Sequence, residues 1–194
     1  MATFNITDPD FQLAFKFTLE HEGEVFENVP GDNGGPTKWG VTWIDCNIWR
    51  KESGLPPLTE QEAINTKLSY LTPQIIEKIY FQNYWLPLKG NIFPAPIDIV
   101  LFDSGVNCGI FQDVKFLQRV LGVTVDGQFG PNTVNALNNY ISLHGSKTVA
   151  LGILERRKEF YEQLAASQTH DEQFLQGWIN RVNNVQVIVN KYPD

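Results

Sequence analysis

Apolar residues along this chain recur mostly at three- and four-residue spacing, and no convincing alternating stretch exceeds four residues. That pattern predicts helices joined by short connections. Phe11, Phe15, Thr18, Leu19 and Glu22 share one helical face, with Pro9-Asp10 as a start and Gly23 as a stop. Pro30, Gly31, Gly34, Gly35, Pro36 and Gly40 then crowd a short segment, which excludes regular helix and predicts a structured loop or small hairpin. Helix resumes over 43–49 and breaks at Gly54-Leu55-Pro56-Pro57. Thr59-Glu60-Gln61-Glu62 reads as a capping box. Thr72-Pro73 opens another helix, expected to run through Ile76, Ile79 and Tyr80 to Tyr84-Trp85.

Pro87, Gly90, Pro94 and Pro96 give the strongest punctuation and predict a boundary between regions 1–90 and 91–194. Helices are expected over 97–107, 111–121, 133–143, 146–167 and 171–190, with a turn at Asp126-Gly127-Gln128-Phe129-Gly130-Pro131. The connection over 86–96 is too short and apolar for a flexible linker, so the two regions are expected to share a core. The fold class is mainly α, with a small β element near residues 25–42.

Composition narrows the function classes. The chain has 194 residues, 42% hydrophobic and 19% charged, as a globular protein does. Its net charge of −7 argues against binding a nucleic-acid backbone. No run of 18 apolar residues is present, so no membrane insertion is expected. The first residues lack the basic region of a secretory signal. Three scattered histidines give no metal cluster. Cys46 and Cys108, 62 positions apart, are read as buried reduced thiols.

Candidate chemistry gathers in the first third. Glu22 ends an apolar face, and a desolvated carboxyl favours its protonated form, as a general acid requires. The apolar pattern is imperfect, since Leu13 and Phe17 occupy the opposite side, and a surface role for Glu22 fits this periodicity as well. Asp32 and Thr37 follow among glycines that allow a loop to curl back over the helix end. Two carboxyls in different environments suit glycoside hydrolysis, although Asp-Asn-Gly is equally a turn string.

The string Glu20-His21-Glu22-Gly23, followed by Gly31-Asp32-Asn33-Gly34-Gly35-Pro36-Thr37-Lys38-Trp39-Gly40-Val41-Thr42, resembles the glycoside hydrolase family 108 pattern, H-E-G-G-Y then D-P-G-G-x-T-x-Y-G-I. Its spacing is also similar to the Glu–Asp–Thr triad of phage-type lysozymes. The chain departs from the pattern at Glu24 for glycine, Asn33 for proline and Trp39 for tyrosine. Tyr80-Phe81-Gln82-Asn83-Tyr84-Trp85 resembles the family's Y-x-x-x-Y-W segment. Phe102-Asp103-Ser104-Gly105-Val106-Asn107-Cys108-Gly109 resembles the opening of its predicted peptidoglycan-binding region.

The resemblance implies a lysozyme-like N-acetylmuramidase with Glu22 as general acid, Asp32 orienting or activating water, and Thr37 helping to hold that water. It implies inversion, no cofactor, a monomer, and peptidoglycan glycan strands as the partner. Trp39, Tyr84, Trp85 and Trp178 are aromatics suited to sugar stacking, though tryptophans are usually core. Asp103 and Asn107 share a helical face and either pack internally or line the glycan cleft. A non-catalytic glycan binder, a lytic transglycosylase and a chitinase or chitosanase are the rival readings. Synthesis in the cytoplasm with release through a membrane pore, as for a phage or prophage lysis enzyme, is the expected setting, and a bacterial enzyme exported by another route fits as well.

Overall fold

In a computed structural model of the chain, residues 5–23, 25–28, 35–90, 92–167 and 172–193 are described. Helix α1 (Pro9–Glu22) starts where the Asp8 side chain accepts from the backbone N–H groups of Asp10, at 2.9 Å, and Phe11, at 3.3 Å. Those donors have no partner inside the helix, and the cap satisfies them. The helix ends at Gly23, whose φ of +73° suits a residue without a Cβ.

Three two-residue strands follow: β1 (Phe26–Glu27), β2 (Thr37–Lys38) and β3 (Val41–Thr42). They form an antiparallel sheet in chain order, pairing Phe26 with Lys38, Glu27 with Thr37, Thr37 with Thr42 and Lys38 with Val41. This is the small β element expected between residues 25 and 42. Thr42 caps α2 (Trp43–Glu52) by accepting from the Asp45 N–H at 3.1 Å. The capping box opens α3 (Glu60–Thr66): Thr59 N–H donates to Glu62 Oε2 at 2.8 Å, and Glu62 N–H donates to Thr59 Oγ1 at 3.2 Å.

Helix α4 (Pro73–Tyr80) carries Thr72 as cap and proline in its first turn. Here the expected single helix to Trp85 gives way to a different geometry. Phe81–Trp85 is a π-helical segment, widened by one residue relative to an α-turn. Beyond it come α5 (Ile97–Cys108), α6 (Ile110–Leu121), α7 (Pro131–His144), α8 (Ser146–Ser167) and α9 (Glu172–Val189). Helix α7 starts at Pro131, the proline that closes the 126–131 turn, because proline lacks only an N–H that the first turn leaves unpaired anyway.

The chain forms two compact units that do not follow its linear order. One is Phe15–Asn83; the other joins Met1–Ala14 to Tyr84–Asp194. In the second unit Phe11, Trp85 and Phe102 meet edge to face, with ring centroids 5.3–5.8 Å apart, which explains why the start of α1 belongs there. Every residue of α5 from Ile97 to Gly105 is buried. Such a helix, apolar nearly all round, must be a central one, and α6 and α8 pack against it. In the first unit the core includes Phe15, Val41, Ile76, Ile79 and Tyr80. Both cysteines are free thiols; Cys46 is buried, and Cys108 is only half-buried, against the expectation.

Candidate active site

Helix α1 buries Phe11, Ala14, Phe15 and Thr18, and Glu22 is the half-buried end of that stripe. What faces Glu22 comes from the sheet. Lys38 pairs with Val41, so Trp39 and Gly40 alone make the turn between β2 and β3. Their φ values, +52° and +68°, are both positive, as a two-residue I′ hairpin requires. A Cβ on Gly40 would lie 2.5 Å from the Tyr80 hydroxyl, 2.9 Å from Glu22 Oε2 and 3.0 Å from Glu22 Cγ. The carboxylate and the phenol therefore rest against the same point of bare backbone. Tyr80 reaches it from the end of α4, 1% exposed, and its hydroxyl donates to the Trp39 carbonyl at 2.9 Å.

Thr37 lies in the central strand, half-buried, and its hydroxyl donates to the Gly35 carbonyl at 3.1 Å. Asp32, the expected second carboxylate, lies outside the described residues. The Trp39 side chain is only 8% exposed, with Lys38 Nζ 5.1 Å from its ring centre. It lines a largely apolar cleft of about 400 Å³ together with Lys16, Leu19, Glu20, Gly23 and Pro73. Positions 16, 19, 20 and 23 share a face of α1 and its terminus, adjacent to the face that carries Glu22. One turn thus has a carboxylate at its glycine and an apolar cleft at its tryptophan.

The expected substrate-contact residues of the second unit are placed differently. Trp85 has no exposed surface; it packs on Phe11 and Phe102, and a Cβ on Gly90 would collide with its ring. Tyr84 is half-buried. Asp103 is wholly buried, receiving Arg157 Nη1 at 2.6 Å on one oxygen and Arg181 Nη2 at 2.8 Å on the other. Burial would raise its pKa, but the two guanidiniums outweigh that and hold it at about 2. Asn107 accepts from Arg157 Nη2 at 3.2 Å and from the Tyr161 hydroxyl. Trp85 and Asp103 are internal in this fold: each is enclosed by its neighbours, with no face left for a sugar. Trp178 stacks on Tyr161 at 5.1 Å.

Comparison with known proteins adds to this geometry. Residues 15–109 match the glycosyl hydrolase 108 family, and residues 112–183 match a predicted peptidoglycan domain. Residues 15–109 belong to the glycosyl hydrolase 108 family. The first matched region of this family member ends at Gly109, whose φ of +80° separates α5 from α6, and the second begins at Gln112 in the first turn of α6. Among solved structures it is similar to SagA of Brucella abortus, with 25% identity over 94% of each chain and a TM-score of 0.73. Comparison with curated proteins yields no match. The fold is mainly α and lysozyme-like, and the family member is a glycoside hydrolase acting on peptidoglycan.

Sequence reasoning missed Gly40 and Tyr80 as partners of Glu22. A signal for the turn was available: Trp-Gly stands between two short β-prone pairs, Thr37-Lys38 and Val41-Thr42, and glycine at a hairpin turn marks positive φ. No local signal existed for Tyr80, which meets the turn across 41 positions.

Proposed function

We propose that this glycosyl hydrolase 108 member is an N-acetylmuramidase. It hydrolyses the β-1,4 bond between N-acetylmuramic acid and N-acetylglucosamine, with Glu22 as the general acid. The observation that carries this reading is the seat of Glu22. Its carboxylate ends a rigid, buried helical stripe and lies against a glycine turn that also borders an apolar cleft. A proton donor has to be held within hydrogen-bond reach of the leaving oxygen, and a helix end clamped by a hairpin is suited to that. Glu22 protonates the glycosidic oxygen as positive charge develops on the sugar. Asp32 then stabilises that charge or activates water, and Thr37 helps to hold the water. Carboxyl groups about 6.5–9.5 Å apart leave room for a water and invert the anomeric centre, and this is the outcome proposed here. The edge of Trp39 supplies an apolar contact for the sugar ring. In its biological setting the enzyme is made in the cytoplasm and released to the wall as a phage or prophage lysis enzyme.

Digestion of purified peptidoglycan with product analysis by mass spectrometry tests the reading. Wild-type enzyme is expected to release saccharides with reducing N-acetylmuramic acid ends. Glu22→Gln is expected to lower the rate by about 10²–10⁴-fold, the usual contribution of a positioned acid, and Asp32→Asn to lower it as well. Wild-type rates in Glu22→Gln would overturn the assignment. 1,6-Anhydro products would make the protein a transglycosylase instead.

A further inference from the structure

We propose that Gly40 and Tyr80 are positioning residues for the reaction: Gly40 leaves the space in which the Glu22 carboxylate sits, and Tyr80 holds the turn that keeps the space open. The inference rests on Glu22 being the general acid.

The turn itself is unfavourable in isolation. Its first residue is a tryptophan at φ +52°, where bulky side chains are seldom found. Such a conformation persists only when the surroundings determine it. Here the determinant is the bond from the Tyr80 hydroxyl to the Trp39 carbonyl, made by a side chain that is itself buried and packed on Phe15 with ring centres 5.5 Å apart. The phenol is therefore a fixed wall. A Cβ placed on Gly40 meets that wall at 2.5 Å and the Glu22 carboxylate at 2.9 Å, both closer than side chains tolerate. The half-buried carboxylate at a helix end yields more easily than the buried phenol. Occupation of this space consequently displaces the acid.

Other glycines of the same unit separate this contact from simple backbone strain. Gly54 has φ +73°, close to the +68° of Gly40, yet nothing lies within 4 Å of its Cβ position. Gly54→Ala and Gly40→Ala share the cost of forcing an alanine to positive φ. Only Gly40→Ala adds the collision with Tyr80 and Glu22.

The test is steady-state cleavage of soluble peptidoglycan fragments by wild type, Gly40→Ala, Gly54→Ala, Tyr80→Phe and Glu22→Gln, with a thermal melt of each. Gly40→Ala is expected to lose about 100-fold in kcat with KM nearly unchanged, as a small misplacement of a reacting group does. Gly54→Ala is expected to keep kcat within about twofold while losing only the thermal stability that an alanine at positive φ costs. Tyr80→Phe is expected to lose about tenfold in kcat and to shift the alkaline limb of the pH–rate profile, where a general acid loses its proton, because the acid then samples more than one position. Equal kcat in the two glycine variants, with Glu22→Gln inactive, overturns this inference alone. Wild-type activity in Glu22→Gln overturns the acid assignment and this inference with it. If Gly40→Ala does not fold, Tyr80→Phe decides: an unchanged kcat and pH profile overturn the inference, and the paired loss and shift support it.

Discussion

The two compact units satisfy their polar groups in opposite ways. In Phe15–Asn83 most side-chain bonds are local: Thr42 with Asp45, Thr59 with Glu62, and Asn47 with Leu58. They lie at helix ends and loops, close to water. In the other unit the decisive bonds join residues 54 and 78 positions apart, and they are buried. Asp103, from α5, gathers Arg157 of α8 and Arg181 of α9 around one carboxylate, so three helices are registered by charge as well as by apolar packing. Nearby Asp113 is wholly buried, and burial raises its pKa well above the ordinary carboxyl range, against the opposing charge of Arg157. Local bonds set the ends of elements. Remote buried bonds set which elements meet, and losing one partner leaves a charge that water cannot reach.

The contrast breaks most visibly at Asp103. Asp103→Ala leaves two buried guanidiniums without their counter-charge and is expected to cost about 3–5 kcal/mol, read as a lowered urea midpoint. A loss below about 1 kcal/mol would put this network on the level of exposed ion pairs. A smaller effect comes from a second buried acid of the same unit. Burial, then the neighbouring carboxylates Asp10 and Asp8, raise Asp98 from 3.8 to about 8, against the opposing bond from the Ile99 N–H at 2.7 Å. The folded state thus holds a proton there that the unfolded state releases above pH 3.8. Its contribution is complete below that pH and is lost as pH rises towards 8. Asp103, with its pKa lowered to about 2, works in the reverse sense: its contribution is complete above pH 3.8 and is lost as pH falls towards 2. Urea melts at pH 5 and pH 8 are expected to show wild type losing stability across that interval and Asp98→Asn losing less. Parallel losses in both proteins would remove Asp98 from the account. The smallest effect is local: Thr59→Ala should cost about 1 kcal/mol and speed amide exchange in Glu60–Thr66, leaving the exchange of α5 unchanged.

How much was legible in the sequence follows the same division. The helix starts at Pro9, Thr59 and Thr72 could be read directly, because caps act over three or four residues. The place of Glu22 at the end of an apolar stripe was legible from 3.6-residue spacing. Asp103 and Asn107 were correctly placed on one helical face, but their partners Arg157 and Arg181 were not, since helical periodicity does not say which distant helix supplies a counter-charge. Trp85 looked suited to sugar stacking because a sequence cannot distinguish an enclosed indole from an open one. The π-helical segment left no mark either, because Phe81–Trp85 has unremarkable helical composition.

That segment has a consequence for how this chain tolerates changes in length. A π-helical stretch is an α-helix that has accepted one residue more than it needs. Residues 81–85 therefore absorb the rotation of about 100° that one added residue imposes on an α-helix. Removing one residue ahead of Trp85 in this stretch lets the helix return to regular winding with Trp85 still turned towards Phe11 and Phe102, the rings it meets. Elsewhere in a helix a single deletion turns every later side chain off its face; here the slack for it is already present.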